Sequence, residues 1–268
     1  MILAETAYAK INLALHVRRR SADGYHEIET IFAFAEDGDT LTAEAADQLT
    51  LEIDGPLAEG LAEEEDNLVL RAARGLGQGR GARIRLTKRL PIAAGLGGGS
   101  ADAAAALRLL SRLWSVDVPD GLAESLGADV PACLLSQTSF AEGLGHPVTP
   151  IDAADLAGMP LLLVNPRRPL GTAPVYRGWD GDDRGPLERG DPLAAAKKGR
   201  NDLEPPALRL EPIIADVLEA LEGATLSRMS GSGATCFALY ADQADRDAAA
   251  ARIAAQHPDW WQMATRLR

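Results

Sequence analysis

Apolar and polar positions alternate early in the chain. Ile11, Leu13, Leu15 and Val17 take every second place, with Lys10, Asn12, Ala14 and His16 between them. A period of two predicts a strand, and it puts Lys10 and Asn12 on one face. The pattern resumes with Ile28, Ile31, Phe32 and Phe34, and short strands are predicted over 41–43 and 49–53. Residues 59–66 are acidic and read as exposed. Asp66 or Asn67 can cap a helix that ends at the glycines of 75–81. Ala82, Ile84 and Leu86 alternate with Arg83, Arg85 and Thr87, another half-buried strand.

Helical spacing follows: Ala103, Ala106, Leu107, Leu110 and Leu113 recur at three and four residue steps down to Trp114. Further helices are predicted over 122–126, around Leu208 and Leu210, over 213–221 and over 245–256. Strands are expected at 139–146 (with a tight turn), 159–165 and 236–240. Pro147, Pro150 and the polar run to Asp155 read as a connection. The expected division is therefore 1–150 and 151–268.

Between the strand at 82–87 and the helix at 103–114 lie Pro91, Ile92, Ala93, Ala94, Gly95, Leu96, Gly97, Gly98, Gly99, Ser100 and Ala101. Glycines let backbone N–H groups approach a ligand with no Cβ in the way. A helix start adds unpaired N–H groups and about half a positive charge. With Ser100 at the N-cap position, the run reads as a phosphate cradle. A P-loop is excluded because no Lys-Ser or Lys-Thr pair ends the loop. A dinucleotide fingerprint fails because Ser100 takes the place of its third glycine. The alternative, a glycine-rich turn with no ligand, fits a shorter run better than this one.

Composition narrows the classes. Over 268 residues, 46% are apolar and 25% charged, normal for a globular chain. Aromatics are only 4%, so Leu, Ala, Val and Ile must build the core. A net charge of −12 argues against a sequence-independent nucleic-acid binder. Cys133 and Cys236 form no paired motif and are expected as free thiols. The four histidines have no zinc spacing. Glu5 and Lys10 interrupt any signal-like apolar stretch, and no apolar run reaches the roughly 20 residues that span a bilayer. A cytoplasmic protein with no membrane partner is expected.

Other candidates are ambiguous alone. Lys10 and Asn12 could face a cleft, but the segment by itself fits a solvated face better. Arg18, Arg19 and Arg20 form a short basic run of the solvated kind. Tyr25 and His26 follow a turn at Asp23 and Gly24, where they could stack on and hydrogen-bond to a base or pack on their own loop. Asp129, between Gly127 and Pro131, is a helix cap, a placed acid–base group or both. Gly231, Ser232 and Gly233 make a second glycine loop before a strand. Residues 178–191, rich in Gly, Asp and Arg, are expected to be a mobile surface loop.

Taken together, Ala9 to Leu13, Pro91 to Ser100 and Ser230 to Ala234 resemble in order and spacing the GHMP kinases, small-molecule kinases with no P-loop. Residues 22–27, 126–131, 201–204 and 229–237 sharpen the resemblance to one branch. It implies a two-domain α+β fold with the active site in the cleft between domains, residues 1–150 carrying the nucleotide. It implies ATP over Pro91 to Ala101, with Mg2+, Ser100 offering its hydroxyl to the metal. It implies γ-phosphoryl transfer to the 2-hydroxyl of a CDP-linked methylerythritol, in the non-mevalonate route to isoprenoids. Lys10 and Asp129 fall on the family's catalytic pair. Tyr25 and His26 fall on its cytidine turn, with Tyr176 a second stacking face and Asn12 beside the substrate. Gly231 to Gly233 would close over the site. His146 stands where an acidic residue is expected, and 178–191 match no part of the family pattern.

Overall fold

The structure is a computed structural model that describes residues 1–59, 61 and 67–268. The proposed cap Asp66 and most of the acidic 59–66 run lie outside the described residues. In chain order the elements are β1 (Leu3–Arg20), β2 (His26–Ala45), β3 (Leu49–Asp54), α1 (Leu68–Gly77), β4 (Ala82–Thr87), α2 (Gly98–Trp114), α3 (Leu122–Leu126), α4 (Val130–Leu135), β5 (Ser139–Gly143), β6 (Val148–Pro150) and β7 (Pro160–Asn165). Then follow α5 (Thr172–Arg177), α6 (Pro192–Lys198), α7 (Glu204–Leu210), α8 (Ile213–Ala220), β8 (Leu226–Met229), β9 (Cys236–Leu239), α9 (Gln243–Gln256) and β10 (Trp261–Arg266).

The chain forms two compact units. The first holds residues 1–9, 37–92 and 97–136; the second holds 10–36, 93–96 and 137–268. This differs from a single cut at 150: β1 and β2 each run through both units. The reason lies in β2, where segments expected as separate strands form one strand of 20 residues.

In the first unit, β3 pairs parallel with β4, and β4 pairs antiparallel with Thr40–Ala45 of β2. Ala82, Ile84 and Leu86 are buried while Arg83 and Arg85 are exposed, as their alternation predicts. Helix α1 is capped by Asn67, whose side chain accepts from Val69 N–H. Helix α2 buries an unbroken run from Ala101 to Leu107, so small alanines let it be covered closely all round.

In the second unit, Ile28–Phe32 of β2 pair antiparallel with β5, which pairs with β6. A four-stranded sheet runs β10-β7-β9-β8. All of its registered pairings are antiparallel. Its core gathers Leu162, Val164, Cys236 and Ala238 from strands with Ala207, Ile214, Val217 and Ile253 from helices. Cys133 and Cys236 are both free and buried. Among the described residues, no helix is long and apolar enough to cross a membrane.

Candidate active site

The polar face of β1 is not solvated. Lys10 is 4% exposed and Asn12 2%. The Lys10 ammonium donates to Asn12 Oδ1 at 2.9 Å and lies 4.9 Å from the centroid of the Phe32 ring. Asn12 in turn donates through Nδ2 to Thr30 Oγ1 at 2.8 Å, and Thr30 donates to Ala14 C=O. The amide therefore orients the lysine, and a hydroxyl orients the amide.

The second glycine loop meets this strand. Asn12 N–H donates to Ser230 Oγ, and Ser230 Oγ donates to Gly95 C=O at 2.8 Å. Lys10 N–H donates to Leu96 C=O, and Thr235 N–H to Ala94 C=O. A Cβ at Gly95 (φ +76°) would lie 2.2 Å from Ser230 C=O, and one at Gly231 3.2 Å from Asn12 Oδ1. Asn201 fixes the loop from behind, donating to Met229 and Gly231 carbonyls. Ser232 Oγ shares a hydrogen bond with Thr172 Oγ1 at 3.0 Å. Ser230, Thr30 and Asn201 are the supports that sequence reasoning left out of the site. Ser230 and Asn201 stood inside quoted motifs; Thr30 carried no signal.

In the first unit the helix after the loop begins earlier than expected. Gly97, with φ +62°, occupies the N-cap position without a side-chain cap, and Ser100 is the third residue of α2 rather than its cap. A left-handed glycine turns the chain into the helix, so no serine is needed there. The N–H groups of Gly98, Gly99 and Ser100 consequently have no intrahelical acceptor. A Cβ on Gly98 would make only ordinary contacts, with Lys88 Nζ at 3.8 Å and Leu90 Cβ at 4.0 Å.

Beneath that turn sits an ion cluster the sequence did not announce. Lys88 Nζ lies 2.5 Å from Asp39 Oδ2 and 2.7 Å from Asp102 Oδ2, all three buried. Asp39 Oδ1 also accepts from the N–H groups of Arg89 and Leu90. Burial pushes the Asp102 carboxyl up to about 7 against the pull of Lys88. Burial would lower Lys88, but the two carboxylates outweigh it and raise it.

Asp129 holds the N-cap position of α4, with Pro131 in the first turn, yet its carboxylate makes no capping hydrogen bond. The cap reading of this side chain does not hold. Asp129 belongs to the first unit and Lys10 to the second.

His26 packs against Tyr176 at 5.2 Å and edge-on to Trp179 at 5.7 Å between ring centroids. Burial, followed by the Arg20 charge, lowers the His26 pKa, so the ring is neutral at pH 7. Tyr25 is 64% exposed on the preceding turn. Trp179, from the unplaced 178–191 stretch, was missed. That stretch carries neither helix nor strand, but it is tied down: Leu187 is buried, its N–H donates to Glu29, and Arg189 pairs with Glu142. Arg18, read as solvated, pairs with Asp183 of the same loop.

Among the described residues, no three His, Cys, Asp or Glu side chains cluster to hold a metal. A Mg2+ arriving on nucleotide phosphates needs few protein ligands, and the single hydroxyl of Ser100 fits that donor set.

The model of the GHMP kinase N-terminal domain matches residues 67–137, and that of the C-terminal domain 185–259. A 4-diphosphocytidyl-2-C-methyl-D-erythritol kinase from Rhizorhabdus wittichii is 58% identical, covering 98% of this chain and 94% of its own. The chain belongs to the GHMP kinases. Within these kinases, a protein of the same designation from Sphingopyxis alaskensis is 52% identical over 99% of both chains. A solved structure of 4-(cytidine 5'-diphospho)-2C-methyl-D-erythritol kinase matches with a TM-score of 0.81 and 35% identity, covering 99% of each chain. Like other GHMP kinases, this chain is a small-molecule kinase built on an α+β fold.

Proposed function

We propose that this enzyme transfers the γ-phosphoryl group of ATP to the 2-hydroxyl of 4-diphosphocytidyl-2-C-methyl-D-erythritol, a step of the non-mevalonate route to isoprenoid precursors. The observation that carries this reading is the buried Lys10 ammonium, oriented by Asn12 on a strand whose backbone is bonded to the glycine loop at Leu96. A fixed, dehydrated cation beside a phosphate loop suits a reaction in which charge develops on a transferring phosphoryl group. Identity above 50% to relatives bearing that designation supports the substrate.

In this reading Asp129 accepts the proton of the 2-hydroxyl as its oxygen forms the new bond to phosphorus, and ADP leaves with the electrons of the broken P–O bond. Lys10 offsets charge on the phosphoryl oxygens. Asn12 serves chiefly to aim Lys10. The N–H groups of Gly98, Gly99 and Ser100 would hold phosphate oxygens, and Ser100 would offer its hydroxyl to Mg2+. Mg2+ supplies charge neutralisation on the nucleotide phosphates. Pro91 to Ala101 form the ATP loop, and Gly231 to Gly233 close over the site. Neutral His26 reads the cytosine edge, while Tyr25 and Tyr176 supply stacking faces. The division into 1–150 and 151–268 is one of sequence, and the compact units interleave across it. The net charge of −12 and the buried thiols suit a cytoplasmic enzyme with small-molecule partners and no nucleic acid.

A GHMP kinase for homoserine or mevalonate is the other reading. The aromatic group around His26 favours the nucleotide-bearing substrate, since a small acid needs no stacking faces. Coupled ADP release with each of the three alcohols decides between them. Turnover confined to the CDP substrate, and lowered by about 10²-fold or more in Asp129→Ala, is expected. Turnover with homoserine or mevalonate instead overturns the substrate assignment, and full activity in Asp129→Ala overturns the base.

A further inference from the structure

Trp179 has no part in the reading above, yet the fold goes to some length to place it. Its backbone N–H donates to Tyr176 C=O, one turn back at the end of α5. Gly178, immediately before it, has its carbonyl held by Arg209 at 2.6 Å. A Cβ at Gly178 would come 2.9 Å from Pro206 Cβ, so a glycine is required for this turn to lie against α7. The indole packs on the second unit's core and meets the His26 ring at 5.7 Å and 80°. Tyr176 meets the same ring at 5.2 Å and 47°. The imidazole is thus held by two aromatic rings at different inclinations, which fixes its plane. Finally, the indole Nε1–H is shielded from solvent with no hydrogen-bond partner among the described residues. Buried indole N–H groups ordinarily find an acceptor.

We propose that Trp179 is a positioning and specificity residue for the nucleotide end of the substrate: its ring holds His26 in the plane that reads the pyrimidine, and its indole N–H is a donor kept for the bound pyrimidine nucleotide. The inference rests on the assignment of His26 to base recognition. The ligand class is a pyrimidine ribonucleoside diphosphate ester.

The test combines kinetics with a probe on the unaltered fold. In Trp179→Ala the KM for the CDP substrate should rise about tenfold, the worth of one well-placed aromatic contact. The kcat and the KM for ATP should stay within about twofold, the signature of lost ground-state binding. Trp179→Phe, which restores a ring without the N–H, should fall between. In wild-type enzyme labelled with 5-fluorotryptophan, the Trp179 resonance, assigned by its absence in Trp179→Phe, should shift saturably with CMP and not with AMP. An unchanged KM in Trp179→Ala, an equal rise in the KM for ATP, or a Trp179 resonance blind to CMP overturns the proposal. His26→Ala separates the two levels. If it raises the KM for the CDP substrate while Trp179 fails its tests, only the role of Trp179 falls. If it leaves that KM unchanged, the base-recognition assignment falls and takes Trp179 with it.

Discussion

Replacing Lys88 by Met should destabilise the enzyme more than most single substitutions. The ammonium is 4% exposed and bridges Asp39 and Asp102, whose side chains are 0% and 6% exposed. Methionine keeps most of the stem but deletes the charge, leaving two carboxylates facing each other away from water. Removing one partner of a buried ion pair costs about 3–5 kcal/mol, because the remaining charge stays dehydrated. Here two groups are stranded, and part of the loss is recovered by protonating Asp102, which burial already drives up to about 7. The net expectation is about 3–5 kcal/mol, on the order of 10 °C in Tm. Urea unfolding followed by circular dichroism measures it. The triple variant Lys88→Met, Asp39→Asn, Asp102→Asn supplies the decisive comparison. It removes the stranded charges, and the amide that replaces the Asp39 carboxylate keeps an oxygen to accept from Arg89 and Leu90. It should recover at least half of the loss, since the dehydrated charges that account for most of it are gone. A loss below about 1 kcal/mol in the single variant, or a triple variant no more stable than the single, would refute the reasoning.

Two further outcomes follow from the geometry. Gly95→Ala should raise the KM for ATP and lower stability by about 1–3 kcal/mol. The residue has φ +76°, and its Cβ would sit 2.2 Å from Ser230 C=O. Gly99→Ala, whose Cβ would make an ordinary 3.6 Å contact with Leu68, should leave stability nearly unchanged when both variants are compared by urea unfolding. His16 is buried, accepts from Arg200 N–H at Nε2 and lies 3.1 Å from Gly185 C=O through Nδ1. Burial, then the Arg200 charge, lowers its pKa, with Gly185, Asp202 and Glu29 acting the other way. Its contribution to stability is therefore present above pH 6.5 and is lost as the pH falls from there through the lowered value. Urea midpoints between pH 8 and 5 should drop more steeply for wild type than for His16→Gln; parallel curves would count against it.

What the sequence disclosed depended on the range of the cause. The alternation in Ala82 to Thr87 and the spacing from Ala103 to Trp114 are local, and both elements appear, the helix starting earlier than expected at Gly98. Asn67 caps α1 by a bond two residues away. By contrast, Lys10 and Asn12 looked half-solvated because the groups that bury them, Thr30, Ser230 and Leu96, stand from 18 to 218 residues away along the chain. Trp261, Met263 and Thr265 in β10 alternate with Gln262, Ala264 and Arg266, a legible strand that passed unread so near the chain's end. The ion cluster was hidden for another reason. Asp39, Lys88 and Asp102 are charged residues in exposed-looking surroundings, and nothing local says that three such groups share one buried place. The resemblance to the GHMP kinases brought in Asp129 and His26, for which spacing offered no means of choosing between site and scaffold.

The interleaving of the two compact units has a consequence for how the chain is made and inherited. The first unit has all its parts once residue 136 has left the ribosome. The second holds the paired strands of residues 10–36 in waiting until residues 137–268 arrive to complete it. That early pair of strands therefore stays without its β5 neighbour until residues 139–143 emerge. For the same reason no single cut in the gene yields either unit whole.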